Sequence, residues 1–132
     1  MGKKHLKQAL AIDPDNKSLM TFWKNLSKME KVKGEATEAF RGNEIERAIE
    51  LYAQCLEFDP LNVAFNQTIY YNRACALYNI GQKEKALEDL DSAIKLNPEY
   101  AKAYLKRADI KLAQEKYDEC LFELNKVKEM AP

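Results

Sequence analysis

The chain has 132 residues, of which 46% are hydrophobic and 32% charged, and its 21 basic residues balance its 21 acidic residues. This length suits one domain with a continuous core, while zero net charge removes the overall field that draws proteins to nucleic acids or anionic membranes. We therefore expect no nucleic-acid partner and no membrane partner, and no apolar run approaches the roughly 20 residues of a membrane span.

The first predicted helical segment is short. Residues 4–12 carry Leu6 and Ala9 at helical spacing, and the Asp13-Pro14-Asp15 turn ends the segment. His5, the one histidine of the chain, lies here without the nearby serine, cysteine or carboxylate pattern of a catalytic site. We therefore interpret this segment as a cap on the following helix.

A long helix is predicted next, over residues 17–41. Its apolar residues keep roughly helical spacing and no proline interrupts them: Leu19, Phe22, Trp23, Leu26, Met29 and Val32. Trp23 is interpreted as a packing residue because it belongs to this stripe. Gly42 and Asn43 end the helix, and Asn43 is predicted to be the N-cap of a partner helix over residues 44–58.

Two further helical hairpins follow. Helices are predicted over residues 70–80 and 83–96, separated by Gly81 and closed by Pro98, and then over residues 99–114 and 116–130. Four extra residues fall within 63–67, where they lengthen either the loop or the first turn of the next helix. Ala74, Ala86 and Ala93 are small residues at positions where neighbouring helices need close approach.

The hairpins are copies of one unit. Ala86, Leu90, Ala93 and Pro98 are matched at the same spacing by Ala48, Tyr52, Cys55 and Pro60 before them and by Cys120, Leu124, Val127 and Pro132 after them. This pattern resembles the tetratricopeptide repeat, which predicts an all-α solenoid of helical hairpins. We predict that residues 1–14 are the tail of a preceding repeat, that residues 15–132 form a three-repeat domain, and that the chain is a piece of a longer protein.

Two other groups of residues are interpreted structurally. Cys55, Cys75 and Cys120 are odd in number and lack CxxC spacing, which is typical of reduced, buried thiols in a cytosolic or nuclear protein. Of these locations we predict the cytoplasm. The acidic pairs at residues 88–89 and 118–119 are predicted to lie at exposed helical positions.

Five side chains form the candidate binding site. The first helices of stacked hairpins line a concave groove, and the groove-facing positions near their N-terminal ends hold Lys33, Thr37, Asn72, Lys102 and Lys106. Such a cationic cluster on a neutral protein is either a solvated face or a site for an anion. Lys102 and Lys106 lie four residues apart on one helix, so they repel each other unless an anion lies between them.

The sequences YYNRA at residues 70–74 and KAYLKRA at 102–108 resemble those of co-chaperone tetratricopeptide domains. Those domains use a carboxylate clamp to bind the acidic EEVD tail of heat-shock chaperones. The resemblance implies clamp roles for Lys33, Asn72 and Lys102, with Lys106 in place of the family's arginine and Thr37 in place of its first asparagine. Within the family, the insertion and the long first helix are most similar to a member whose repeats precede a J domain.

Further positions and the overall function follow from the same resemblance. Phe40, Tyr78 and Leu112 occupy the next groove-facing positions, where they either contact apolar peptide side chains or pack internally. We predict a non-catalytic module for the C-terminal peptides of seventy- or ninety-kilodalton heat-shock chaperones, with no cofactor and no metal. Because Lys106 and Thr37 depart from the family's pattern, and Asp109 places a carboxylate one turn from Lys106, the expected affinity is on the order of ten micromolar or poorer.

An alternative function remains open. Thr37 and Asp109 also suit a general interaction scaffold whose groove takes another partner, or a segment that self-associates through its ends. The sequence does not distinguish the chaperone classes and leaves the oligomeric state open.

Overall fold

A computed structural model describes residues 17–130, and within that range the chain is helical throughout, with short turns between the helices. The six described helices are α1 Lys17–Arg41, α2 Ile45–Phe58, α3 Val63–Asn79, α4 Lys83–Leu96, α5 Ala101–Ala113 and α6 Tyr117–Met130. Helices that follow one another along the chain also contact each other, so three hairpins stack in sequence order. The predicted all-α hairpin solenoid is confirmed, whereas the predicted remnant repeat over residues 1–14 and the residues His5, Leu6 and Ala9 lie outside the described residues.

The four extra residues before the middle hairpin lengthen a helix. Helix α3 begins at Val63 because Asn62 caps it, its side chain accepting a hydrogen bond from the Phe65 amide at 3.1 Å. Asn66, one turn further on, is buried and donates its amide hydrogen to the Asp59 carbonyl at 2.8 Å. Of the two predicted outcomes, a longer loop or a longer first turn, the structure has the second.

The same turn joins the two helices of every hairpin. Asn43, Gly81 and Glu115 stand at equivalent repeat positions and have φ values of 65°, 82° and 61°. In each turn the next amide reaches back to a carbonyl five residues earlier, as from Gln82 to Leu77 at 2.9 Å. The prediction that Asn43 is an N-cap was wrong, because Asn43 takes the left-handed conformation that ends α1 and Glu44 precedes α2.

The core forms where small residues let the helices approach. Ala74, Ala86 and Ala93 are fully buried, as their spacing predicts. Cys55 and Cys120 are buried thiols, but Cys75 is only partly buried, so the prediction of three buried cysteines was wrong for one of them. On the stripe predicted for α1, Met29 and Val32 are buried and Trp23 is partly buried.

Phe22 departs from that stripe, since 57% of it is exposed. It precedes the buried part of α1, which begins at Met29.

Within residues 17–130 no helix combines the length and the apolar character needed to span a membrane.

Ion pairs join the helices within hairpins, and the two that involve a buried carboxylate were missed from the sequence. Arg73 donates two hydrogen bonds of 2.7 Å to the buried Asp89 carboxylate, and these bonds raise the pKa of Arg73. Arg107 donates to the buried Glu123 at 2.8 Å and also lies 3.0 Å from Asp91. The interpretation of residue 89 as an exposed solvated carboxylate was therefore wrong, whereas Asp118 and Glu119 are exposed as predicted.

Candidate functional site

The groove is lined by equivalent positions of the first helix of each hairpin. Counted back from the closing prolines, Thr37, Cys75 and Asp109 share one position, and Phe40, Tyr78 and Leu112 share another. Stacked hairpins bring equivalent positions of α1, α3 and α5 alongside one another. Four of the predicted residues, Thr37, Phe40, Tyr78 and Leu112, therefore occupy equivalent positions in neighbouring repeats.

A pocket of about 360 Å³ opens between α1 and α3 on this face. Its lining includes three residues predicted from the sequence and three that were not: Thr37, Phe40, Asn72, Arg41, Tyr52 and Cys75. Cys75 follows Asn72 by three residues and so shares its helix face, which is a signal that the sequence carried. Tyr52 enters from α2, and the repeat pattern alone predicts it only as a core residue.

Thr37 uses its hydroxyl inside the protein. The hydroxyl donates to the Lys33 carbonyl at 3.0 Å and lies 3.4 Å from the Tyr52 hydroxyl. Burial raises the pKa of Tyr52, and the Thr37 hydrogen bond partly offsets that effect. The Thr37 hydroxyl proton is therefore already donated within the protein.

Three of the predicted lysines act electrostatically on cysteine thiols. Burial raises the pKa of Cys75, while the ammonium groups of Lys106 and Lys102 lower it. At the other end, burial raises the pKa of Cys55 to about 11, against a lowering effect of Lys33. Lys102 and Lys106 of α5 thus act on a thiol that lines the pocket, whereas Lys33 of α1 acts on a thiol in the core.

Lys106 is held between an aromatic ring and a carboxylate. Its ammonium lies 5.5 Å from the centre of the Tyr78 ring and 4.0 Å from Asp109 Oδ2, and its side chain is 25% exposed. The structure thus brings Lys106 and Tyr78 together. Leu112 is separate from this group: it is 52% exposed and is not among the residues lining the pocket.

Tyr71 was not singled out from the sequence. Its ring lies 5.6 Å from that of Tyr100. Burial, the largest of several effects, raises the pKa of Tyr71 to about 12, so its hydroxyl stays protonated at neutral pH. Both rings also pack against the buried core formed by α3, α4 and α5.

In the described part of the chain, no three histidine, cysteine, aspartate or glutamate side chains are grouped so that they could hold a metal ion. The groove instead offers ammonium groups, one side-chain amide and aromatic rings. Such donors bind and orient carboxylates.

Comparison with known proteins gives two matches to the tetratricopeptide repeat model, at residues 68–100 and 101–132. A relative from Dictyostelium discoideum, the DnaJ homolog subfamily C member 7 homolog, is 30% identical over all 132 residues, which are 24% of its length. The mouse DnaJ homolog subfamily C member 7 is 33% identical over 120 residues, covering 91% of this chain and 24% of that protein. The chain thus spans about a quarter of these relatives.

Solved structures of similar fold include peptide complexes. The first TPR of Spaghetti (RPAP3), bound to the HSP90 peptide SRMEEVD, is 27% identical with a TM-score of 0.71, covering 80% of this chain and 81% of that one. The TPR2B domain of yeast Sti1, in a complex with pHsp70, is 25% identical with a TM-score of 0.72, covering 79% and 80%.

Proposed function

The chain belongs to the tetratricopeptide repeat family, and on that premise we propose that its groove binds the acidic C-terminal tail of a heat-shock chaperone without catalysing a reaction. The proposal is supported by Asn72, which lines the pocket between α1 and α3, and by Lys102 and Lys106, which act electrostatically on Cys75 in the same pocket. We assign Lys33 to this groove from its sequence position. The similar domains of Spaghetti and Sti1, which are bound to chaperone peptides, support the same class of ligand.

A free peptide terminus suits these donors. An EEVD tail ends in a main-chain carboxylate beside an aspartate side chain, so it brings two anions within a few ångströms of each other. Lysine ammonium groups and the Asn72 amide can donate to them, and each charge-assisted hydrogen bond contributes about 1.5 to 3 kcal/mol. Tight capture therefore requires both carboxylates to find donors.

Two residues weaken this binding. Lys106 keeps the positive charge but lacks the two-pronged geometry of a guanidinium, and Tyr78 and Asp109 already attract its ammonium. The Thr37 hydroxyl is used by Lys33 and Tyr52. The expected dissociation constant is therefore about ten micromolar or higher.

The terminal carboxylate is the feature to test. A fluorescein-labelled SRMEEVD peptide should bind about tenfold more tightly with a free C-terminus than with an amidated one, because amidation removes one charge-assisted bond. Fluorescence anisotropy titrations of both peptides at the same salt concentration measure the ratio. Equal affinities, or no binding of either peptide, would contradict the proposal that the groove clamps the terminal carboxylate.

The proposed setting is the cytoplasm. Cys55, Cys75 and Cys120 are all free thiols, as a reducing compartment requires.

Self-association is a second candidate function, favoured by one observation. Helix α6 exposes a set of large apolar side chains, namely Tyr117, Leu121, Phe122 and Leu124. Light scattering over a concentration series distinguishes this candidate, since a rising mean mass would indicate association and a constant mass would exclude it.

A further inference from the structure

An exposed carboxylate stands among the cations of the groove. Asp109 is 55% exposed and takes, in the third repeat, the position at which Thr37 and Cys75 line the pocket in the first two. An acidic tail entering the groove gains nothing from this negative charge. Resting on the proposed function, we propose that Asp109 makes the groove select tails that carry a lysine or arginine upstream of their acidic end.

Asp109 is weakly engaged inside the protein. Its Oδ2 lies 4.0 Å from Lys106 Nζ, which is too far for a hydrogen bond. By contrast, Lys111 Nζ of the same helix lies 2.8 Å from Glu119 Oε1 of α6. Lys106 in turn lies over the Tyr78 ring. The Asp109 carboxylate therefore keeps accessible oxygens that can accept hydrogen bonds from an incoming guanidinium or ammonium group.

The separation of Lys102 and Asp109 along α5 sets the number of residues between the anionic and cationic side chains of the ligand. Asp109 follows Lys102 by seven residues on α5, which is a rise of about 10 Å along the helix. An extended peptide covers this distance in about three residues. The groove thus pairs anions of the tail with Lys102 and, about three residues away, a cation of the tail with Asp109.

Comparing the affinities of different tails distinguishes pairing of Asp109 with a basic residue from simple repulsion of acidic residues. If Asp109 only repelled acidic residues, an arginine and a glutamine upstream of the tail would bind equally well. If Asp109 only restrained Lys106, its replacement would change the affinity of every tail by the same factor. Direct pairing alone predicts an arginine preference that disappears with the carboxylate.

A double-mutant cycle between protein and peptide measures the pairing. Seven-residue peptides ending in EEVD, with one arginine or one glutamine at each of the three preceding positions, are titrated against the unaltered protein and Asp109→Asn. We expect at least one position where arginine binds about two- to fivefold more tightly than glutamine, the range of an exposed ion pair. The preference should vanish in Asp109→Asn and weaken as salt rises.

Asp118→Asn is the matched control, because it removes another exposed carboxylate, in the first turn of α6. It should leave the arginine preference intact. An arginine preference of the same size in Asp109→Asn, or none at any position in the unaltered protein, overturns the inference while the clamp stands. Loss of the difference between free and amidated tails instead overturns the proposed function itself.

Discussion

Replacing Arg73 by alanine is expected to lower the free energy of unfolding by about 3 kcal/mol. The substitution removes both 2.7 Å hydrogen bonds to Asp89 and leaves that carboxylate, which is only 6% exposed, without its partner. An uncompensated buried charge costs far more than a lost surface pair. Urea denaturation followed by circular dichroism measures the effect.

The sequence of the first repeat suggests a control variant for Arg73→Ala. At the positions of Arg73 and Asp89 it carries Glu35 and the buried Leu51, so the fold accepts an apolar residue at the second position. The double variant Arg73→Met, Asp89→Leu should recover most of the lost stability, because no buried charge is left unpaired. If Arg73→Ala unfolded at the same urea concentration as the unaltered protein, the ion pair would have no structural role.

Lys102→Glu is expected to weaken binding of the free SRMEEVD peptide on the order of a hundredfold, at the upper range of one charge-assisted bond. The variant removes a donor to the tail and places a like charge beside its carboxylates. Because Lys102 is exposed on the surface of α5, the fold should be retained. Fluorescence anisotropy gives the affinity and circular dichroism the helicity.

Lys95→Glu makes the same change of net charge at an exposed position on α4, one of the second helices of the hairpins. It should change the affinity less than twofold, since a surface charge away from the groove is largely screened by salt. An equal loss in both variants would mean that net charge, and not the groove, governs binding.

Repeat spacing predicted the fold because each hairpin must bury its small residues against the next one. The spacing of the alanines at 74, 86 and 93, which are fully buried, therefore predicted how the helices pack. Helix ends were less predictable: Asn43 carries out the same task as Gly81, since asparagine also tolerates the left-handed conformation.

The ion pairs were missed because charged residues were assumed to face solvent. A signal was nevertheless present, since Asp89 lies between Ala86 and Ala93 on the buried stripe of α4. Arg73 and Asp89 are 16 residues apart, and Arg107 and Glu123 repeat this spacing 34 residues later. A recurring pair of opposite charges on a core-facing stripe indicates a buried ion pair.

The hydrogen bonds of Thr37 could not be predicted from the sequence. They depend on how closely the Tyr52 hydroxyl approaches from α2, which is a matter of packing between helices. The same holds for Lys106, whose position over Tyr78 depends on the stacking of α5 against α3. Sequence position predicts which residues reach the groove, whereas packing decides which donors stay free.

A structure of the complex with SRMEEVD tests the central claim most directly. The proposal predicts that the terminal carboxylate lies within hydrogen-bonding distance of the Asn72 side-chain amide and of the ammonium groups of Lys33 and Lys102. A peptide seated elsewhere, for example on the exposed apolar side chains of α6, with those three residues free of contact, would contradict it.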